Sequence, residues 1–257
     1  MRGQRRRKFP SSKLGRMSND RCNMRDFRRY LYIPAISLLF IGILSAVPAS
    51  AQGPLGEILR RMDEHNKNLS SLKSNITMVK SDAALGDAGT DTTQGTVNYI
   101  PKAGKRLRYI RVDWVKPAEN MIIVGDEYLI VRPTLSQAYK GNTNTATKQN
   151  SKVAGPLAFL SMSKEQLKAN YSIIFVAEEQ IAGGVRTWHL QLTPKAADKY
   201  KQADLWVDGD GMPRQARVTA ANNDTTTILL TNISKNVKID ASIFSLKVPD
   251  GVKVIKS

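Results

Sequence analysis

The side chains that could do acid, base or metal chemistry are few in this sequence, and their spacing works against it. Its two histidines, His65 and His189, fall in a helical and an alternating strand pattern. Neither stands at metal-ligand spacing or beside a nucleophile. Asp208-Gly209-Asp210-Gly211 opens like a calcium loop, but the third acidic position and the closing glutamate at the twelfth are missing, so a hairpin turn is expected. Glu178 and Glu179 are adjacent, and on a strand they point to opposite faces, which denies them an acid–base partnership. No catalytic residue, metal site or cofactor is expected. What remains is apolar chemistry: Trp114, Trp188 and Trp206 either line a ligand cavity or belong to a core, and periodicity alone leaves both open.

The compartment is written in the first residues. Eleven Lys/Arg and only Asp20 and Asp26 lie within residues 1–51; residues 31–47 carry no charge, and Ala49-Ser50-Ala51 follows as a small-residue cleavage site. That order describes a secretory signal peptide over residues 1–51. An apolar run broken at Pro34 and bounded by Pro48 is at the lower limit of a membrane span. The segment opening at Met24 has ordinary signal-peptide proportions, which points to translation starting there or at Met17. Removing residues 1–51 lowers the formal net charge from +17 to +8, so most of the apparent affinity for nucleic acid goes with them. The single cysteine, Cys22, goes too, leaving residues 52–257 without a disulfide, a thiolate or a lipidation site.

Residues 55–69 have helical periodicity, with Ile58, Leu59, Met62 and Leu69 on one stripe. Strands are expected over 72–81, 93–100, 105–113, 120–124, 128–132 and 136–140. After an interruption they resume over 171–182, 185–193, 203–208, 213–221, 225–234, 244–248 and 252–255. Gly183-Gly184, Asp208 to Gly211 and Asn222-Asn223-Asp224 supply the turns. Residues 121–124 and 129–131 are apolar on both faces and predict central strands covered on both sides. In the interruption, Pro156 opens the apolar run 157–160, and Ser163 with Gln166 forms a capping box for a helix to about residue 169. The pattern predicts one mainly β domain over residues 52–257, an antiparallel barrel or sandwich with a helical lid inserted in its meander.

The order of these elements, with several short strings, resembles the periplasmic outer-membrane lipoprotein carrier family (LolA-like). The strings are Lys116-Pro117, Val131-Arg132-Pro133 with Gln137-Ala138, and Pro156-Leu157 with Leu160. Leu192-Thr193-Pro194-Lys195 ahead of the Asp208 to Gly211 turn, and Phe244 ahead of Pro249-Asp250-Gly251-Val252, complete them. The resemblance implies an incomplete antiparallel β-barrel of about eleven strands with an N-terminal helix and a helical lid. It implies a monomeric, non-enzymatic periplasmic carrier that holds the acyl chains of lipoproteins. Its implied partners are those acylated lipoproteins, an inner-membrane lipoprotein-releasing ABC transporter and an outer-membrane acceptor, with no nucleic acid.

On that resemblance, Leu107, Tyr109, Trp114, Ile122, Phe175 and Trp188 are candidates for the lipid-binding wall, and Leu157, Phe159 and Leu160 for the lid. The family's lid-bonding, release-governing arginine falls on Arg106 when counted from Pro117, with Lys102 as competitor. The family's Asp-Gly turn is replaced by Asp126-Glu127. The same fold also serves as a lipid-binding or envelope-stress sensor protein that binds a membrane-anchored anti-sigma factor. Such sensors carry a further C-terminal domain, for which residues after the carrier domain leave no room.

Overall fold

The computed structural model describes residues 53–102, 104, 107–143, 158–159, 162–196 and 200–256. The expected signal peptide, Arg106, Leu157 and Leu160 lie outside them. The first helix, α1, spans Pro54–Asn68, with Pro54 at a first-turn position where its missing N–H costs nothing. Strands follow as β1 (Leu72–Ser81), β2 (Thr90–Ile100), β3 (Tyr109–Trp114), β4 (Glu119–Val124), β5 (Glu127–Arg132) and β6 (Gln137–Asn142). Helix α2 (Lys164–Asn170) leads directly into β7 (Tyr171–Ile181), β8 (Val185–Pro194), β9 (Tyr200–Asp208), β10 (Pro213–Ala220), β11 (Thr225–Lys235) and β12 (Lys253–Lys256).

All twelve strands join one open sheet in the order β12-β6-β5-β4-β3-β2-β1-β11-β10-β9-β8-β7. Every pairing is antiparallel except β12 with β6. Laid flat, twelve strands would be about 50 Å wide. A helix of 15 residues reaches only about 22 Å. Yet Ile130 of β5, Val112 of β3, Leu230 of β11, Leu205 of β9 and Leu190 of β8 share one continuous buried cluster with Ile58, Leu59 and Met62 of α1. The sheet therefore curls around its inner face, as an incomplete barrel does, and α1 lies against that face. Each of the three helix side chains is almost fully buried, a contribution of about 1.5–3 kcal/mol apiece.

The doubly apolar β5 is explained by a second, smaller cluster. Leu129, Val131 and Ala138 on the outer face of β5 and β6 pack against Leu246, Val248 and Val252. That covering segment corrects the expected strand over 244–248. It forms instead a 3-10 turn, Ala241–Phe244, where the Asp240 carboxylate accepts the Ser242 N–H, and then runs over the sheet without joining it.

His65, on the last turn of α1, is buried beside the sheet. Burial holds its imidazole below the ordinary value of 6.5, aided by the Lys235 charge; Asp208 and Asp210 oppose the shift. The unfolded chain thus takes up a proton at a higher pH than the folded one. Stability should fall as pH drops below about 6.5 towards the folded value. Denaturant titrations above and below that window should show a smaller acid-induced loss in His65→Gln than in the wild type; identical losses would remove His65 as the source.

Candidate functional site

Alternation along each strand assigns the faces. On β3, Ile110, Val112 and Trp114 point inward, and Tyr109, Arg111 and Asp113 outward. Met121 and Ile123 of β4, Tyr128 and Ile130 of β5, and Leu190 and Leu192 of β8 extend the same inner face. The result is an apolar concavity walled by most of the sheet. One wide sheet face of this kind would be a large exposed patch if nothing covered it.

Its cover comes from α1 and the lid. Asn66 of α1 donates through Nδ2 to the Met162 carbonyl at 3.0 Å, tying the helix to the lid segment. Phe159 is buried against Tyr171 and Tyr200, ring centroids 5.8 and 6.5 Å away, while the two tyrosine hydroxyls meet at 2.5 Å. The expected capping box forms: Gln166 N–H donates to Ser163 Oγ at 3.2 Å, and Ser163 N–H to Gln166 Oε1 at 2.9 Å. Leu167 alone of α2 is buried. Ser163→Ala should cost the lid helix about 1 kcal/mol, seen as faster amide exchange over residues 164–170 with the sheet unchanged; unaltered exchange would mean the cap is idle.

The wall candidates do not converge on one face. Trp114, Phe175, Trp188 and the lid's Phe159 lie on or against the inner cluster. Tyr109 does not: it points outward and meets Phe244 at 5.3 Å. Ile122 is buried, but its cross-strand partners Arg111 and Leu129 are outward residues. Leu107 is 48% exposed near Gly125. Tyr109 and Trp114 are an odd number of positions apart on one strand, which forbids a shared face. Leu157, Leu160 and Arg106 are not among the described residues; Lys102 is exposed. The turn that the resemblance sets at Asp126-Glu127 lies one residue earlier, at Gly125-Asp126, with Gly125 in the left-handed conformation.

Trp188 sits at a polar end of the inner face. Its Nε1–H donates to Glu178 at 3.1 Å, and the Arg61 guanidinium lies 5.3 Å over its ring. It borders an open cleft of about 460 Å³ with Glu178, Arg186 and Gly209. Glu179, as adjacency required, takes the other face.

There an unforeseen polar cluster forms. His189 faces the Glu179 carboxylate through Nδ1 at 2.9 Å and the Asp204 carboxylate through Nε2 at 3.0 Å, and stacks on Trp206 at 4.4 Å. Asp204 is buried and also accepts from Arg217 and Gln202. The neighbouring Thr187 hydroxyl donates to the Glu179 carbonyl. These bonds brace β7, β8, β9 and β10 and commit the cluster's donors and acceptors to one another. Asp208 is likewise committed, its Oδ1 accepting the Asp210 and Met212 N–H groups at 3.0 Å as the centre of a turn. Among the described residues no group of three His, Cys, Asp or Glu is placed to hold a metal ion.

An open, curled, mostly antiparallel sheet with an apolar inner face under an N-terminal helix and an inserted lid defines a half-barrel fold. The chain belongs to the family described as outer membrane lipoprotein carrier protein LolA, whose model matches residues 86–247. It is similar in structure to an uncharacterized conserved protein from Thermus thermophilus (13% identity, TM-score 0.49, 79% of this chain and 99% of the other). Another similar structure is a putative outer membrane lipoprotein-sorting protein domain from Vibrio parahaemolyticus (11%, 0.42, 73% and 94%). A third is the lipoprotein LppX of Mycobacterium tuberculosis (12%, 0.41, 72% and 99%). No curated protein matches it in sequence.

Proposed function

We propose that this protein is a non-enzymatic carrier that takes up the acyl chains of lipoproteins on its concave face and moves them through the periplasm between the inner and outer membranes. The observation that supports this reading most is the cover of that face. Where a sandwich would use a second sheet, the apolar concavity is covered by one helix and a short lid with few apolar anchors, Phe159 and Leu167 among them. Such a cover can be exchanged for acyl chains, whose burial contributes about 0.8 kcal/mol per CH₂. Release follows when closure of α1 and the lid competes with the bound chains.

The family's functional description supports the same reading, as does the order of charge, apolar run and cleavage site over residues 1–51. On this proposal the segment is a cleaved signal peptide and residues 52–257 work as a soluble monomer. An inner-membrane releasing transporter loads it and an outer-membrane acceptor unloads it. The test is to express the full coding sequence, isolate the protein from the periplasmic fraction and identify co-purifying acylated protein by mass spectrometry. The protein should start at Gln52, carry lipoprotein and keep a diacylated lipopeptide in solution. An uncleaved N-terminus, or failure to solubilise the lipopeptide, would overturn the proposal.

A further inference from the structure

We infer that the indole N–H of Trp114 is the polar anchor for an ester carbonyl at the head of the bound acyl chains, an assignment that rests on the carrier reading above. Trp114 ends β3 on the inner face and is 5% exposed. Its Nε1–H is buried and has no hydrogen-bond partner among the described residues. A buried donor without an acceptor is costly to keep, and native proteins leave few of them unexplained. Trp188 and Trp206 show the ordinary arrangement, each donating to a glutamate carboxylate. An apolar ring would fill the Trp114 position without that cost, so the N–H itself needs an acceptor that arrives with a ligand.

The position also sets the ligand's direction. Trp114 stands at the rim, beside the turn into β4, where its cross-strand neighbours are Gly95 and Glu119. Glu119 is bonded to Arg132 at 2.6 Å, and the Arg132 guanidinium lies 5.0 Å over Tyr139. From this polar rim the rows Val112 and Ile110, Met121 and Ile123, and Ile130 and Tyr128 run away along the inner face. A chain whose carbonyl accepts from Trp114 therefore lays its methylenes on those rows and keeps its head at the rim. Gly95 lets β2 approach β3 closely beside Trp114, because a Cβ there would stand 2.3 Å from the Asp113 carbonyl oxygen. The chemistry recognised is an acyl ester; an alkyl ether of equal length offers the same methylenes without the carbonyl.

The full-length chain, expressed and purified from the periplasmic fraction, is titrated with two synthetic lipopeptides. One carries two palmitoyl esters on a glyceryl-cysteine, and the other two hexadecyl ethers on the same scaffold. Wild type should prefer the ester by about tenfold, the effect of satisfying one buried donor, and Trp114→Phe should bind both alike. As a measurement that needs no variant, the Trp114 indole proton should move downfield on loading with the ester and not with the ether. Binding of both lipopeptides with equal affinity by wild type, or an ester preference intact in Trp114→Phe, overturns the Trp114 assignment and leaves the carrier reading standing. Failure of wild type to bind either lipopeptide overturns the carrier reading, and the assignment with it.

Discussion

Phe159→Ala should bind acyl ligands more tightly than wild type, by up to about a hundredfold, while lowering the stability of the empty protein. The ring is almost fully buried between lid and sheet, with Tyr171 and Tyr200 as its aromatic neighbours. Truncating such a ring costs about 3–5 kcal/mol when the site cannot collapse. In a carrier that cost falls on the closed, empty state, which competes with ligand. An apparent affinity is the intrinsic one reduced by the fraction of molecules that are open. Weakening closure by about 3 kcal/mol therefore raises affinity by about two orders of magnitude, up to the point where the protein is already open. Displacement of a fluorescent fatty acid and the rate of transfer to acceptor vesicles measure the two halves of this. Tighter binding with slower release is expected. Weaker binding would make Phe159 part of the ligand's wall and not a plug that competes with it.

How far such residues could be recognised in advance depended on whether the sequence carried a phase. Strand alternation over residues 185–193 puts Leu190 and Leu192 on one face and His189 on the other, and the structure has them so. The Ser163–Gln166 cap was legible because it is local, four residues deciding their own hydrogen bonds. Residues 121–123 are apolar at every position, so the inward Met121 and Ile123 could not be told from the outward Ile122. The register with β3 decides it, Met121 opposite Val112 and Ile122 opposite Arg111; on β5 and β6 the segment after Phe244, more than a hundred residues on, turns the outer face into a second core. Tyr109 and Trp114 are separable by period alone, being five positions apart on one strand.

The His189 cluster was hidden for a different reason. Each member is unremarkable on its own strand, and only the register, His189 opposite Trp206 and Gln191 opposite Asp204, brings them together. Trp114's unpaired indole is the same kind of fact. A tryptophan in a sequence announces its size, but whether its N–H finds an acceptor is settled by the neighbours that folding supplies.

Gly211→Ala should destabilise the protein by about 2–5 kcal/mol and uncover the inner face at the same time, whereas Gly209→Ala, two residues away, should change little. Gly211 lies in the β9–β10 turn at φ +82°, a conformation that costs an L-residue about 1–2 kcal/mol. A Cβ there would also stand 2.3 Å from the carbonyl carbon and oxygen of Arg61 and 2.7 Å from the Met62 nitrogen. The turn thus meets α1 backbone to backbone, and Arg61 reinforces the contact by donating to the Gly209 carbonyl at 2.9 Å. Relief of the clash must push the helix away, and overpacking of this sort adds about 1–3 kcal/mol. At Gly209 a Cβ meets nothing within 4 Å, so its alanine variant belongs with neutral surface changes of about 0.5 kcal/mol or less. The helix pushed away is the one whose Ile58, Leu59 and Met62 cover the concavity. Gly211→Ala should therefore lose stability in denaturant yet gain hydrophobic-dye binding and acyl affinity under native conditions. A variant that is less stable and also binds ligand less well would show that α1 is a fixed wall of the site, and would confine the moving cover to the lid.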